Sequence, residues 1–194
     1  MTADDAIRTV RERGILMQEA VPAGVGGMSA VLGMTADEIN AVVDEIPNVQ
    51  VANYNCPGQI VISGLKEAVE TAAVKLKEAG ARRVIPLNVS GPFHSYLLEE
   101  AGEKLGKFLE NIPVAEPVIP YVANVTAAYV TKAEDVKPLL TRQVSSSVRW
   151  QQSVERMIAD GVDTFIEIGP GRTLTGFLKK INKNVTGLHI EKVE

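Results

Sequence analysis

One of only two histidines in this 194-residue chain, His94, sits in the segment Val89-Ser90-Gly91-Pro92-Phe93-His94-Ser95, a loop that follows a helix-then-strand pattern. Imidazole titrates near neutral pH without help, which makes His94 a candidate general base. Loops fixed to a rigid scaffold are where such groups concentrate. The competing reading is a histidine that caps the following helix. Arg13 shares a helix with Arg8 and Arg11, and by pattern alone it is a solvated arginine. Met17 falls one turn further along the same face and suits a pocket wall and a packed core equally well. Cys56 invites a Cys–His thiol enzyme, but it stands in a hairpin turn with no cation or helix N-terminus to lower its pKa. His189 reads as a strand residue. Gly169-Pro170-Gly171 lacks the Lys-Ser/Thr of a phosphate-binding loop and reads as a tight strand-to-helix turn.

The elements that hold these residues follow from periodicity and punctuation. Thr2 to Ala20 reads as a helix, capped by Thr2, with Ile7, Val10 and Met17 at helical intervals. Pro22 and the glycines after it end that helix. Then come a strand at Met28 to Leu32, a helix from Thr35 to Ile46, strands at Val49 to Tyr54 and Gln59 to Ile62, a helix to Ala79 and a strand at Arg83 to Leu87. The β-α-β-β-α-β order with short connections is the ferredoxin-like split unit. Beyond His94, helices are expected at Leu97 to Ile112, Asp135 to Gln143, Trp150 to Asp160 and Thr173 to Ile181. An apolar stretch falls at Tyr121 to Ala123, a buried strand at Asp163 to Ile168 and a final strand at Val185 to Ile190. Strands alternating with helices imply a parallel sheet.

Composition narrows the function. A net charge of -4 with no basic stripe argues against a nucleic-acid partner. No apolar run approaches the ~20 residues of a membrane span, so no membrane role is expected. A single cysteine excludes an internal disulfide and fits a reducing compartment, with the cytoplasm as default. One cysteine and two distant histidines offer no metal-ligand spacing, and no cofactor is called for.

Five separated motifs carry a resemblance that runs from the first helix to the end of the chain. They are Arg11-Glu12-Arg13-Gly14 with Met17-Gln18; Asn53-Tyr54-Asn55-Cys56-Pro57-Gly58-Gln59 through Gly64; Gly91-Pro92-Phe93-His94-Ser95; Gln143 with Val148-Arg149-Trp150; and Glu167-Ile168-Gly169-Pro170-Gly171 with Leu174-Thr175-Gly176. In this order they resemble the C-terminal portion of the malonyl-CoA:acyl carrier protein transacylases, and the related acyltransferase domains of polyketide synthases. The resemblance implies an α/β fold, a partial α/β-hydrolase-like acyltransferase domain with an inserted ferredoxin-like (βαββαβ) subdomain. Residues 1–24 would be a helix of the large subdomain, 25–88 the insert, and 89–194 the C-terminal part of the large subdomain. The family's Gly-His-Ser-x-Gly nucleophile elbow has no counterpart, and no Gly-x-Ser-x-Gly pattern occurs in the sequence. The serine is therefore expected outside this chain, possible sources including the missing N-terminal half as a separate chain, and the isolated chain is expected to be inactive.

The resemblance also implies roles. His94 becomes the base, and the backbone carbonyl of Gln143 fixes its tautomer. Arg13 becomes the malonate clamp, a bidentate seat for a carboxylate. Met17 lines the pocket, and Phe93 presses on the acyl α-carbon, which hints at malonyl over branched extenders. Asn53 and Asn55 reach the pantetheine chain or hold their turn. Arg82 and Arg83 meet phosphate or an acidic carrier protein, or are simply solvated. Malonyl-CoA and acyl carrier protein are the expected partners. The rival reading is a non-catalytic fragment, or a ferredoxin-like module that binds a carrier protein or metabolite.

Overall fold

In the computed structural model, which describes residues 1–192, the first helix α1 spans Ala3–Ala20. Its start is a reciprocal cap: the Thr2 hydroxyl accepts from the Asp5 N–H at 3.1 Å while the Asp5 carboxylate accepts from the Thr2 N–H at 3.4 Å. The burial differs from expectation. Ile7 and Val10 are 67% and 68% exposed, whereas Thr9 and Met17 turn inward. Periodicity marks a face, but packing decides which face is covered, and α1 docks through its second half, Leu16, Met17 and Ala20.

Six elements follow in the expected order: β1 (Gly26–Leu32), α2 (Ala36–Val43), β2 (Val49–Cys56), β3 (Gln59–Leu65), α3 (Lys66–Glu78) and β4 (Arg83–Pro86). They form one antiparallel sheet in the order β2-β3-β1-β4. Strand side chains alternate between faces. Val31, Ile62 and their neighbours pack under Ile39 and Val43 of α2 and Val69, Ala72 and Leu76 of α3. The opposite face carries Met28, Ala30, Ala52 and Val61, with Leu87 and Phe93 against it. That second face is where the site forms.

After the His94 loop, a 3₁₀ turn at Tyr96–Leu98 leads into α4 (Glu99–Glu110). Leu98, Ala101, Leu105 and Leu109 pack against Met17 and Val21 on one side and Val144 on the other. The hairpin β5 (Tyr121–Ala123) and β6 (Ala128–Val130) precedes α5 (Ala133–Gln143) and α6 (Trp150–Ala159). Of that hairpin only an apolar stretch at Tyr121 to Ala123 was expected. Last come β7 (Thr164–Ile168), α7 (Thr173–Ile181) and β8 (Thr186–Ile190), with β7 and β8 paired in parallel. The strand read as buried is not: Ile166 and Ile168 are 51% and 79% exposed, and Leu188 and Ile190 beside them 48% and 44%. Helix α7 covers one face of this pair, where Gly187 meets Leu178. The other face is bare among the described residues. Among the described residues no helix is long and apolar enough to cross a membrane.

Candidate active site

An open cleft of ≈ 540 Å³ lies between α1 and the second face of the sheet. Arg13, Gly14, Met17 and Gln18 come from α1, Met28 from β1 and Asn53 from β2, while Leu87, Val89, Ser90, Phe93 and His94 close it from the loop after β4. Arg13, Met17, Phe93 and His94 are thus brought together from positions up to 81 residues apart.

The histidine loop is built tightly. The Phe93 N–H donates to the Gly91 carbonyl at 3.0 Å, and the buried Ser95 hydroxyl donates to the Pro92 carbonyl at 2.7 Å. His94 itself adopts φ 56°, a left-handed conformation that side chains other than glycine rarely take and that clusters at functional sites. Its Nδ1 stands 3.1 Å from the Gln143 carbonyl. A carbonyl only accepts, so Nδ1 carries the hydrogen and Nε2 keeps its lone pair. That carbonyl is free because α5 ends at Gln143, and the last carbonyls of a helix have no partner within it. Burial pulls the His94 pKa below its ordinary 6.5; the Gln143 carbonyl opposes this, and the Arg13 charge adds to the lowering. The balance favours the neutral imidazole.

Burial also lowers the Arg13 pKa, but a guanidinium stays charged throughout the working pH range. Among the described residues no carboxylate pairs with Arg13. A half-buried cation without a counter-charge is a ready seat for an anion.

Asn53 reaches the cleft because β2 bulges. Val51 pairs with Ile62 and Asn53 with Val61, so Ala52 is an extra residue and the alternation shifts by one. Its carbonyl accepts from the Val148 N–H at 2.8 Å, and the Tyr54 N–H donates to the Val148 carbonyl at 2.9 Å. Asn55 does not line the cleft; it falls at a second shift of register, between Tyr54 and Cys56. Arg83 is not brought there either. It pairs with Leu32, at the far end of β4 from Leu87, about 13 Å along the strand, and Arg82 beside it is equally exposed. Cys56 is fully buried and burial raises its thiol pKa, so it is no nucleophile. His189 lies on β8 with Nε2 2.9 Å from the Gly169 carbonyl. The Gly169-Pro170-Gly171 turn cradles no anion: the Glu167 carboxylate already accepts from the Leu174 and Thr175 N–H groups at 3.0 and 2.7 Å. A second, smaller cavity of ≈ 90 Å³ lined by Trp150, Val154, Phe165 and Leu178 is apolar, and Glu167, its one carboxylate, is spent on that cap. Gln18 and Ser90 line the cleft without having been given a role, and Met28 and Leu87 line it announced by packing alone.

An α/β scaffold that brings an uncharged, tautomer-fixed imidazole and a free guanidinium to one cleft suits transfer of an anionic acyl group. Residues 1–193 match the family model described as acyl transferase domain, and the chain belongs to that family. It is 47% identical over 194 residues to the malonyl CoA-acyl carrier protein transacylase of Bacillus subtilis (strain 168), covering 98% of this chain and 61% of that protein. The crystal structure of a malonyl CoA-acyl carrier protein transacylase from Clostridium perfringens superposes with a TM-score of 0.96 at 44% identity, covering 100% of this chain and 62% of that one. A complex of a type II PKS acyl-carrier protein with its malonyl-transacylase matches with a TM-score of 0.94 at 42% identity, over 97% of this chain and 62% of that one. The chain spans about three fifths of the length of the relatives it matches.

Proposed function

We propose that this chain takes part in malonyl transfer from coenzyme A to the phosphopantetheine thiol of an acyl carrier protein in fatty acid synthesis. The observation that carries the reading is the shared cleft of Arg13 and His94, with the imidazole hydrogen committed to Gln143. The Arg13 fork holds the malonyl carboxylate, while Met17 and Phe93 wall the acyl chain. The attacking hydroxyl is a serine from outside these 194 residues. Nε2 of His94 takes the serine proton as the Oγ–carbon bond forms and the thioester carbon–sulfur bond breaks, then gives it to the departing coenzyme A sulfur. In the second half the carrier thiol gives its proton to Nε2, its sulfur takes the acyl group, and serine recovers the proton.

Within this reading residues 25–88 are a ferredoxin-like insert, supported by the strand order β2-β3-β1-β4, and 1–24 with 89–194 belong to an α/β-hydrolase-like domain. The carrier protein as partner is supported by the likeness to the complex just described. A cytoplasmic setting is supported by the lone reduced cysteine. A non-catalytic module has no need of a fixed imidazole tautomer, so that reading is the weaker. The test combines this chain with a polypeptide carrying the family's Gly-His-Ser-x-Gly elbow and follows malonyl transfer to carrier protein. Transfer that depends on His94 is expected; none in a mixture that demonstrably associates would overturn the reading.

A further inference from the structure

Gln50 is the one side chain among the described residues, His94 apart, that hydrogen-bonds to both segments surrounding the histidine. It leaves β2 on the face opposite Val49 and Val51, toward the site. Its Nε2 donates to the His94 carbonyl at 3.2 Å and to the Ser145 carbonyl at 3.3 Å, and its Oε1 accepts from the Tyr96 N–H at 3.1 Å. A primary amide has two N–H donors and one oxygen, so both donors and the oxygen have a partner here. Ser145 lies two residues beyond Gln143, whose carbonyl holds the imidazole. The loop that carries the base and the turn that carries its acceptor are therefore fastened to each other, and to the sheet, by one amide. The grip falls on the peptide that follows His94, next to its positive φ, a conformation that persists only where the surroundings over-determine it.

We propose that Gln50 is a positioning residue for His94: by holding the His94 carbonyl, the Tyr96 N–H and the Ser145 carbonyl together, it sets the imidazole against the Gln143 carbonyl. The inference rests on the reading of His94 as the transfer base. The chain offers its own internal control, because the carbonyls beside its two histidines make opposite ring nitrogens the donors, Nδ1 at His94 and Nε2 at His189. Nitrogen NMR of isotope-labelled histidine at neutral pH separates them. In Gln50→Ala, His94 should pass from the Nδ1–H form to a mixture of tautomers while His189 stays as it was. Gln50→Met, which keeps the side-chain length without the hydrogen bonds, should behave alike and serves where the alanine variant folds poorly. A His94 that stays locked in both variants overturns the proposal. So does a His189 that changes along with it in both, since Gln50 would then act on the fold as a whole. In the elbow-completed enzyme the same substitutions should lower kcat about tenfold or more, with the KM for malonyl-CoA little changed. Absence of transfer by the unsubstituted protein would strike the acyl-transfer reading, and the tautomer result would still decide the role of Gln50.

Discussion

Arg13 and His94 line one cleft, and the guanidinium acts on the imidazole as well as on any anion bound there. Burial and then the Arg13 charge disfavour the imidazolium, against the Gln143 and Ser146 carbonyls, so the His94 pKa lies below 6.5. A general base must be neutral, so the acid limb of kcat/KM should have its midpoint below pH 6.5. Arg13→Ala removes one of the two lowering influences, and the limb should move up in pH. The same substitution should raise the KM for malonyl-CoA roughly tenfold to a hundredfold, the worth of a charge-assisted pair. Arg13→Lys should recover little of it, because an ammonium cannot match both carboxylate oxygens. Steady-state rates of the elbow-completed enzyme against pH check all four outcomes; an unmoved limb in Arg13→Ala would refute the proximity argument. Linkage gives the matching stability effect. The unfolded chain binds a proton at His94 near 6.5 that the folded protein accepts only at lower pH, so this contribution to stability is lost as pH falls through that interval.

Among the elements, the strand that opens the sheet also bears on the site. A Cβ on Gly26 would collide with Cγ and Cδ of Pro92, which is fully buried two residues before the histidine. Gly26→Ala must push the loop that carries His94, and should cost about 1–3 kcal/mol by urea unfolding together with a shifted His94 resonance. Gly14→Ala is the contrasting case. That glycine sits within α1 with nothing inside 4 Å of a built Cβ, so alanine should stabilise by about 0.5–1 kcal/mol. Helix starts such as these were legible because capping is local: Thr2 with Asp5 and Thr35 with Glu38 both close reciprocal caps. The order of the six sheet and helix elements was legible for the same reason. The bulge at Ala52 was not, since pairing with β3 and with Val148 comes from distant segments, and it is what aims Asn53 at the cleft, while the second shift of register falls at Asn55. His94 was legible as a candidate base from its loop, and Met17 as a pocket or core residue from its spacing, whereas Arg13 and Phe93 joined them only through motif resemblance; spacing alone left Arg13 a solvated charge. Gln50 carries no motif, and its role emerges only where loop and turn meet.

For the molecule as a whole, the governing feature is an apolar face that none of the described residues covers. The parallel register sets Ile166 beside Leu188 and Ile168 beside Ile190, four aliphatic side chains on the face of β7 and β8 away from α7. Parallel strands are almost always covered on both faces, and two strands alone are marginal in water. Each outer edge of the pair also presents N–H and carbonyl groups ready to accept another strand. Ile7 and Val10 on α1 and Val118 and Ile119 in the proline-rich connection add further exposed aliphatic surface. This chain by itself should therefore associate, either with copies of itself or with a polypeptide that completes the sheet. Light scattering during size exclusion should find species larger than a monomer, growing with concentration. Ile166→Thr combined with Ile168→Thr should shift the distribution toward monomer while leaving the His94 tautomer unchanged, because the cleft is built on the other sheet. A monodisperse monomer with a sharp unfolding transition in the unsubstituted chain would contradict the argument, and would mean that four adjoining aliphatic side chains on a parallel pair are tolerated in water.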